Sequence, residues 1–178
     1  EVVESLSSYS TAQLSSKEID YSRALLQTET KEVGKQKVQI HRLSIPRGET
    51  FKVVLSEGTE VFLNSDSRLA YPTVFKGKER VVSLEGEAYF KVAKDAAHPF
   101  IVKSGNLQIR VLGTEFNVRS YSPTDVRVTL ITGKVAVSDT CGVHSVEMVP
   151  GQSVQLSSDG TFAVNEVDIE SFLYWKEG

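Results

Sequence analysis

Only one cysteine, one methionine and one tryptophan occur among the 178 residues. The lone Cys141 excludes an intrachain disulfide and any cysteine-only metal site. The three histidines, His41, His98 and His144, are too scattered for an H-x-H or H-E-x-x-H ligand set, so no metal is expected. No apolar run approaches the roughly 20 residues a helix needs to span a bilayer. Neither sign of charge dominates: 20 Lys and Arg stand against 23 Asp and Glu, for a net charge of −3. That balance removes any global electrostatic case for nucleic acid or an anionic membrane. The phosphate-cradling G-x-x-x-x-G-K-[ST] loop and the G-x-S-x-G elbow are both missing. The opening EVVESLSSYS has neither the basic nor the apolar region of a signal peptide, and no initiator methionine. The chain therefore reads as an excised or processed piece.

What is present is strand grammar. Residues 1–36 are the exception: EVVESLSSYSTAQ has the polar, Ser-rich composition of a linker or tether. Within them SSKEIDYSRALLQ suits a short helix capped by Ser15 or Ser16, and a first strand through Ser22–Thr28 is the alternative. From residue 37 to 167 the period is two. Phe51, Val53 and Leu55 share a face, the turn SEGT follows, and Val61 and Leu63 return to that face. LQIRV, VRVTLIT and GQSVQLSSDGTFAV repeat the pattern, giving roughly twelve to fourteen short strands. Residues 168–178 read as a C-terminal helix. The fold class expected is all-β, an antiparallel sandwich or a β-roll of stacked hairpins; both bury the same alternate residues. The core expected comprises Phe51, Val53, Leu55, Val61, Leu63, Leu84, Ala88, Phe90, Val92, Ile109, Val111, Phe116, Val118, Val126, Val128 and Leu130.

An internal echo accompanies the strands. Gly-Thr-Glu occurs at 58–60 and at 113–115, and PRGETFKVVLSEGTEV matches PGQSVQLSSDGTFAV in outline. Hairpins reusing one turn chemistry explain this, as would duplicated units stacking in a roll.

The segment VVSLEGEAYFKVAKDAAHPFIV carries the clearest candidate for chemistry. Glu85 and Glu87 sit two apart, so on one strand their Cα atoms lie about 6.5–7 Å from each other. That overlaps the carboxyl separation of glycosidases. Gly86 between them predicts a turn or bulge that splays the pair, and acids on one strand do not flank a substrate from opposite sides. Carboxylates that satisfy backbone donors or face water are the simpler reading. Cys141 and His144 form C-x-x-H in a Gly-containing loop, which supplies neither a positioned base nor an oxyanion site. Exposed rings such as Tyr71, Tyr121 or Trp175 would serve a carbohydrate- or small-ligand-binding β module, the alternative function. No catalytic, cofactor-binding or metal residue is assigned, and the chain is not expected to be an enzyme.

Taken in order, these segments resemble one family. IPRGETFKVVLSEGTEVFLNSDSRLAYPTVF at 45–75 is similar to the opening of the FecR-type domain of anti-sigma regulators, with its Pro-Arg-Gly turn and Gly-Thr-x-Val-x-Leu-Asn strand. ERVVSLEGEAYFKVAKDAAHPFIVKSGNLQIRVLGTEFNVRSY at 79–121 carries the Leu-x-Gly-Glu-Ala-Tyr-Phe-x-Val, Pro-Phe-x-Val and Val-Leu-Gly-Thr-x-Phe-Asn-Val runs. VRVTLITGKVAVSD and VPGQSVQLSSDG continue the series, so the resemblance covers about 45–165.

The resemblance implies a single-pass protein of the inner membrane that restrains an extracytoplasmic-function sigma factor. Its periplasmic domain would receive a signal from the periplasmic signalling domain of a TonB-dependent outer-membrane receptor, with periplasmic and intramembrane proteases freeing the sigma factor. No cofactor is implied. Nothing before residue 37 matches the family's cytoplasmic sigma-binding domain or transmembrane helix. The last residues, Trp175-Lys176-Glu177-Gly178, fall where a small α/β domain begins in many members. The resemblance therefore implies one periplasmic module, and the partner-binding residues stay unknown.

Overall fold

The computed structural model describes residues 2–5, 25–33, 36–157 and 159–177. Among them the strands are β1 (Val2–Ser5), β2 (Leu25–Val33), β3 (Gln36–Ile45), β4 (Phe51–Val54), β5 (Glu60–Leu63), β6 (Ser67–Pro72), β7 (Arg80–Lys91), β8 (Phe100–Ser104), β9 (Leu107–Val111), β10 (Glu115–Ser122), β11 (Asp125–Thr132), β12 (Val135–Asp139), β13 (Ser145–Met148), β14 (Gln152–Leu156) and β15 (Phe162–Glu166). One helix, α1 (Glu170–Glu177), follows. The fold is all-β.

Two sheets share one strand. The first runs β1-β2-β3-β6-β7-β8-β9-β12-β13 and the second β4-β5-β7-β10-β11-β14-β15. The first half of β7 belongs to one sheet and the second half to the other, so the pair curls over a single core, close to a barrel. The all-β expectation holds, and the two sheets are joined through a bent strand. The antiparallel expectation holds except at one pair, because β7 and β8 are parallel, with Arg80 opposite Phe100 and Ser83 opposite Lys103. The physical reason is the crossing itself. The chain leaves the first sheet along β7, and the loop after Lys91 returns it to the end where β7 began.

The expected boundary at residue 37 falls within a hairpin, since β2 and β3 pair from Leu25↔Ser44 to Val33↔Gln36. The Ser15 or Ser16 helix lies outside the described residues, and the alternative first strand overlaps β2.

Every core residue named from the alternation is buried, and all belong to one cluster that also takes in Leu43, Leu69, Phe100, Val102 and Val137. Its centre is aromatic. The Phe90 and Phe116 rings stack at 5.1 Å and 11°, and Phe100 from the first sheet tilts against Phe90 at 6.1 Å. One pin closes the end of the core. Arg80, 3% exposed, pairs with Glu57 of the β4–β5 turn at 2.8 Å and donates to the carbonyls of His98 and Ala93. Its guanidinium also lies 5.3 Å from the centre of the Phe100 ring.

The echo resolves into two different things. β5 and β10 flank β7 in matched register: Glu60 and Glu115 both face Lys91, Val61 and Phe116 both face Phe90, and Leu63 and Val118 both face Ala88. Gly-Thr-Glu thus opens the same strand twice, once on each side of β7. The other pair of segments shares only a turn. Leu55 N donates to Thr59 O and Ser157 N to Thr161 O, each at 2.8 Å. Aligned on that turn, buried Val53 and Val61 correspond to Gln155 and exposed Ala163.

Candidate functional site: the bend in β7

Gly86 makes the bend. Its φ is +93°, a conformation L side chains rarely adopt, and a Cβ there would lie 2.7 Å from Ser67 Cα. The close approach has a purpose. Ser67 Oγ accepts from Glu87 N at 2.9 Å and donates toward Glu87 O at 3.2 Å, so β6 stays fastened to β7 where the sheets part.

The two carboxylates flanking Gly86 do different work. Glu85 is exposed and pairs with exposed Arg68 at 3.2 Å, an interaction worth little in water. Glu87 accepts from Asn64 Nδ2 at 3.0 Å and from Asn117 Nδ2 at 2.9 Å. Its expected partners were backbone donors or water; instead two side-chain amides meet it, because β5 and β10 each bring an asparagine beside β7. The carboxylate is a staple across three strands. Both of its oxygens are engaged.

Beside the bend lies an open groove of about 780 Å³, bordered by Arg68, Glu85, Gly86, Lys103, Tyr121 and Pro123. It forms because β8 ends at Ser104 and β10 reaches only Gly86, leaving a gap on that side of β7. Charges of both signs line it. Tyr121 is 47% exposed, and its hydroxyl donates to Ser65 O at 2.9 Å.

The outward face of the second sheet holds what the sequence did not suggest. Tyr89 lies between the core residues Ala88 and Phe90 and points outward, yet it is 1% exposed. Its hydroxyl donates to Glu115 Oε2, and burial together with that carboxylate raises its pKa well above the ordinary 10. In register with it stand Asn117, Thr129 and Ser153, all buried. Thr129 and Ser153 join hydroxyls at 3.1 Å. α1 lies over this face, with Lys176 Nζ 4.3 Å from the centre of the Tyr89 ring and 5.0 Å from that of Phe62. A hydrophobic pattern shows which way a side chain points, not what later covers it.

The remaining candidates separate. His98 Nδ1 bonds Asp95 Oδ2 at 2.7 Å and His144 Nδ1 bonds Asp139 Oδ2 at 2.9 Å, and each histidine holds its aspartate below the usual carboxylate range. His41 meets Tyr71 edge-on at 5.5 Å, and burial lowers its pKa. Among the described residues no group of His, Cys, Asp and Glu could hold a metal ion. Cys141 is exposed, and His144, the other member of the C-x-x-H pair, is held by Asp139. Tyr71 packs on the core, Tyr121 borders the groove and Trp175 belongs to α1, so the three rings build no common platform. No helix among the described residues is long and apolar enough to cross a membrane.

These features match a known architecture. The family model described as FecR protein matches residues 41–136, more than half of the chain. Two crystal structures of a candidate anti-sigma factor from Parabacteroides distasonis superpose with TM-scores of 0.73 and 0.72. Each is 32% identical in sequence, over 78% and 77% of this chain. The chain spans 65% of the length of each of those two proteins. No curated protein matches significantly. The matched segment runs from β3 into β12 and contains both Gly-Thr-Glu strands, the bend at Gly86 and the Glu87 staple, and the chain belongs to the FecR family.

Proposed function

We propose that this chain is the periplasmic signal-receiving module of a membrane-bound anti-sigma factor. In this reading the full protein restrains an extracytoplasmic-function sigma factor from the inner membrane. It answers to a TonB-dependent outer-membrane receptor, and proteolysis in the periplasm and membrane ends the restraint. The observation that carries the reading is the family match, together with 32% identity over 78% of the chain to a candidate anti-sigma factor.

The geometry supports contact rather than catalysis. Glu87 is consumed by two asparagines, Glu85 pairs with Arg68 in solvent, and the groove beside them is open and of mixed charge. What the fold presents is a rigid pair of sheets with terminal strands. β13 and β15 end the first and second sheets, and each has an unpaired edge among the described strands on which an added strand could pair. Their exposed valines, Val143 and Val149 beside β13 and Val164 in β15, would give such a partner apolar contact. Receptor binding would then shift a pre-existing equilibrium by its differential affinity, without chemistry.

The test is a pull-down with the periplasmic signalling domain of the TonB-dependent transducer encoded beside this protein, using the module alone and the full periplasmic region. Specific capture by the full region is expected. Failure of both forms to bind would overturn the reading.

A further inference from the structure

We infer that the outward face of the second sheet is an exchangeable docking surface, and that α1 is a releasable clasp held on it by Lys176. The inference concerns how the module proposed above is switched, and it rests on that reading only for its biological use. The surface is a row of directly opposed residues, Phe62, Tyr89, Asn117, Thr129 and Ser153, running from β5 across β7, β10 and β11 to β14. Residues on the outside of a sheet are ordinarily wet; four of these are buried, and three of the four are polar and not aromatic.

The holding contact is specific. The Phe62 and Tyr89 rings stand 6.0 Å apart at 72°, forming a two-walled notch. The Lys176 ammonium sits 5.0 Å from the Phe62 centre and 4.3 Å from the Tyr89 centre, within cation–π range of both. Lys52 approaches Phe62 as well, but it is tied to Glu60 at 2.8 Å. Among the described residues Lys176 makes no ion pair, so the rings are what hold it.

The contact is also built to open. The described part of α1 spans Glu170–Glu177, about two turns. Its start is fixed: Asp168 Oδ1 accepts from Glu170 N at 3.1 Å, and Val167 N donates to Gly151 O at 2.9 Å. Release is therefore a swing about residues 167–169 that leaves β15 in place. One group favours it. Trp175 Nε1, a donor carried on α1 itself, is buried without a partner among the described residues. Water would satisfy it once α1 lifts, which offsets part of the lost contact. The vacated notch would accept a lysine or arginine from a polypeptide partner, which takes the place of Lys176.

Trp175 is the chain's single tryptophan, so its fluorescence reports docking directly. In the wild-type module its emission should be blue-shifted and shielded from acrylamide. Lys176→Gln should shift it red and raise the undocked population about five- to thirtyfold, the factor that one or two kcal/mol represents. Lys176→Arg should stay docked, because a guanidinium also binds ring faces. Native far-UV circular dichroism and a single cooperative urea transition should persist in both variants, which shows that the fold is intact, with the Lys176→Gln midpoint lowered only by the docking lost. A tetralysine peptide should increase quenching of the wild type beyond a sodium chloride control of equal ionic strength. Equal shielding in wild type and Lys176→Gln, undocking by Lys176→Arg, or no effect of the peptide would overturn the inference. No receptor is needed, so this result and the pull-down fail independently.

Discussion

Gly86→Ala is the substitution on which the architecture turns. At φ +93° an alanine backbone is strained by about 1–3 kcal/mol. Its Cβ would also lie 2.4 Å from Ser67 Oγ, 2.7 Å from Ser67 Cα and 2.8 Å from Ser67 Cβ. Two of those atoms survive any rotamer change, so β6 or β7 must move, at a further cost of about 1–3 kcal/mol. The sum, about 2–6 kcal/mol, is a large part of a typical stability of about 5–15 kcal/mol. Urea denaturation followed by far-UV circular dichroism measures it. Gly77→Ala is the internal control, because there a Cβ meets only Glu79 backbone atoms at 3.8 and 3.9 Å and φ is not positive. That variant should stay within about 0.5 kcal/mol of wild type. Adding Ser67→Gly to Gly86→Ala removes the Oγ and Cβ contacts but leaves the one to Cα, so only part of the loss should return. Equal midpoints for Gly86→Ala and Gly77→Ala would refute the reasoning.

Three further outcomes are expected. Phe90→Ala and Phe116→Ala should each lose about 3–5 kcal/mol, and a double-mutant cycle should show about 0.5–1.5 kcal/mol of coupling between the stacked rings; unaltered midpoints would contradict their placement. Glu87→Ala should cost about 1–3 kcal/mol, since it strands two asparagine amides, whereas Glu85→Ala should be near neutral in the same melts; the reverse ranking would dismiss the staple. Burial raises Tyr71 to about 12 and lifts Tyr89 as well, from an ordinary 10. Above about pH 10 the unfolded chain thus releases protons that the folded one keeps, and stability should fall as pH rises. Absorbance at 295 nm should show late ionisation steps for Tyr71 and Tyr89, with Tyr89→Phe removing one of them; absence of any step above the ordinary range would oppose this.

The core was legible because alternation is a local signal: Val61 and Leu63, or Val126 and Val128, declare their face within a few residues. The bend was legible too, since a glycine between two strand-forming runs marks a bulge or a close approach. What could not be read were contacts between distant segments. Arg80 looks like a strand-end charge, yet its partners are Glu57 and the carbonyls of Ala93 and His98. The parallel pairing of β7 and β8 escapes hairpin grammar, which links only successive strands. The burial of Tyr89 on the outward face was not legible, because Lys176, which lies over its ring, comes from the far end of the chain. Asn64 and Asn117 carried a faint signal, as the asparagines of two related strand motifs, but their common target lies on a third strand.

The most direct test of the account is made in cells. Transcription from a promoter of the cognate sigma factor is measured with and without the ligand of the outer-membrane receptor, using the intact protein and one lacking residues 37–167. The intact protein should respond to the ligand, and the deletion should abolish that response while the sigma factor and its cytoplasmic partner remain present. An undiminished ligand response in the deletion strain would contradict a signal-receiving role for these sheets.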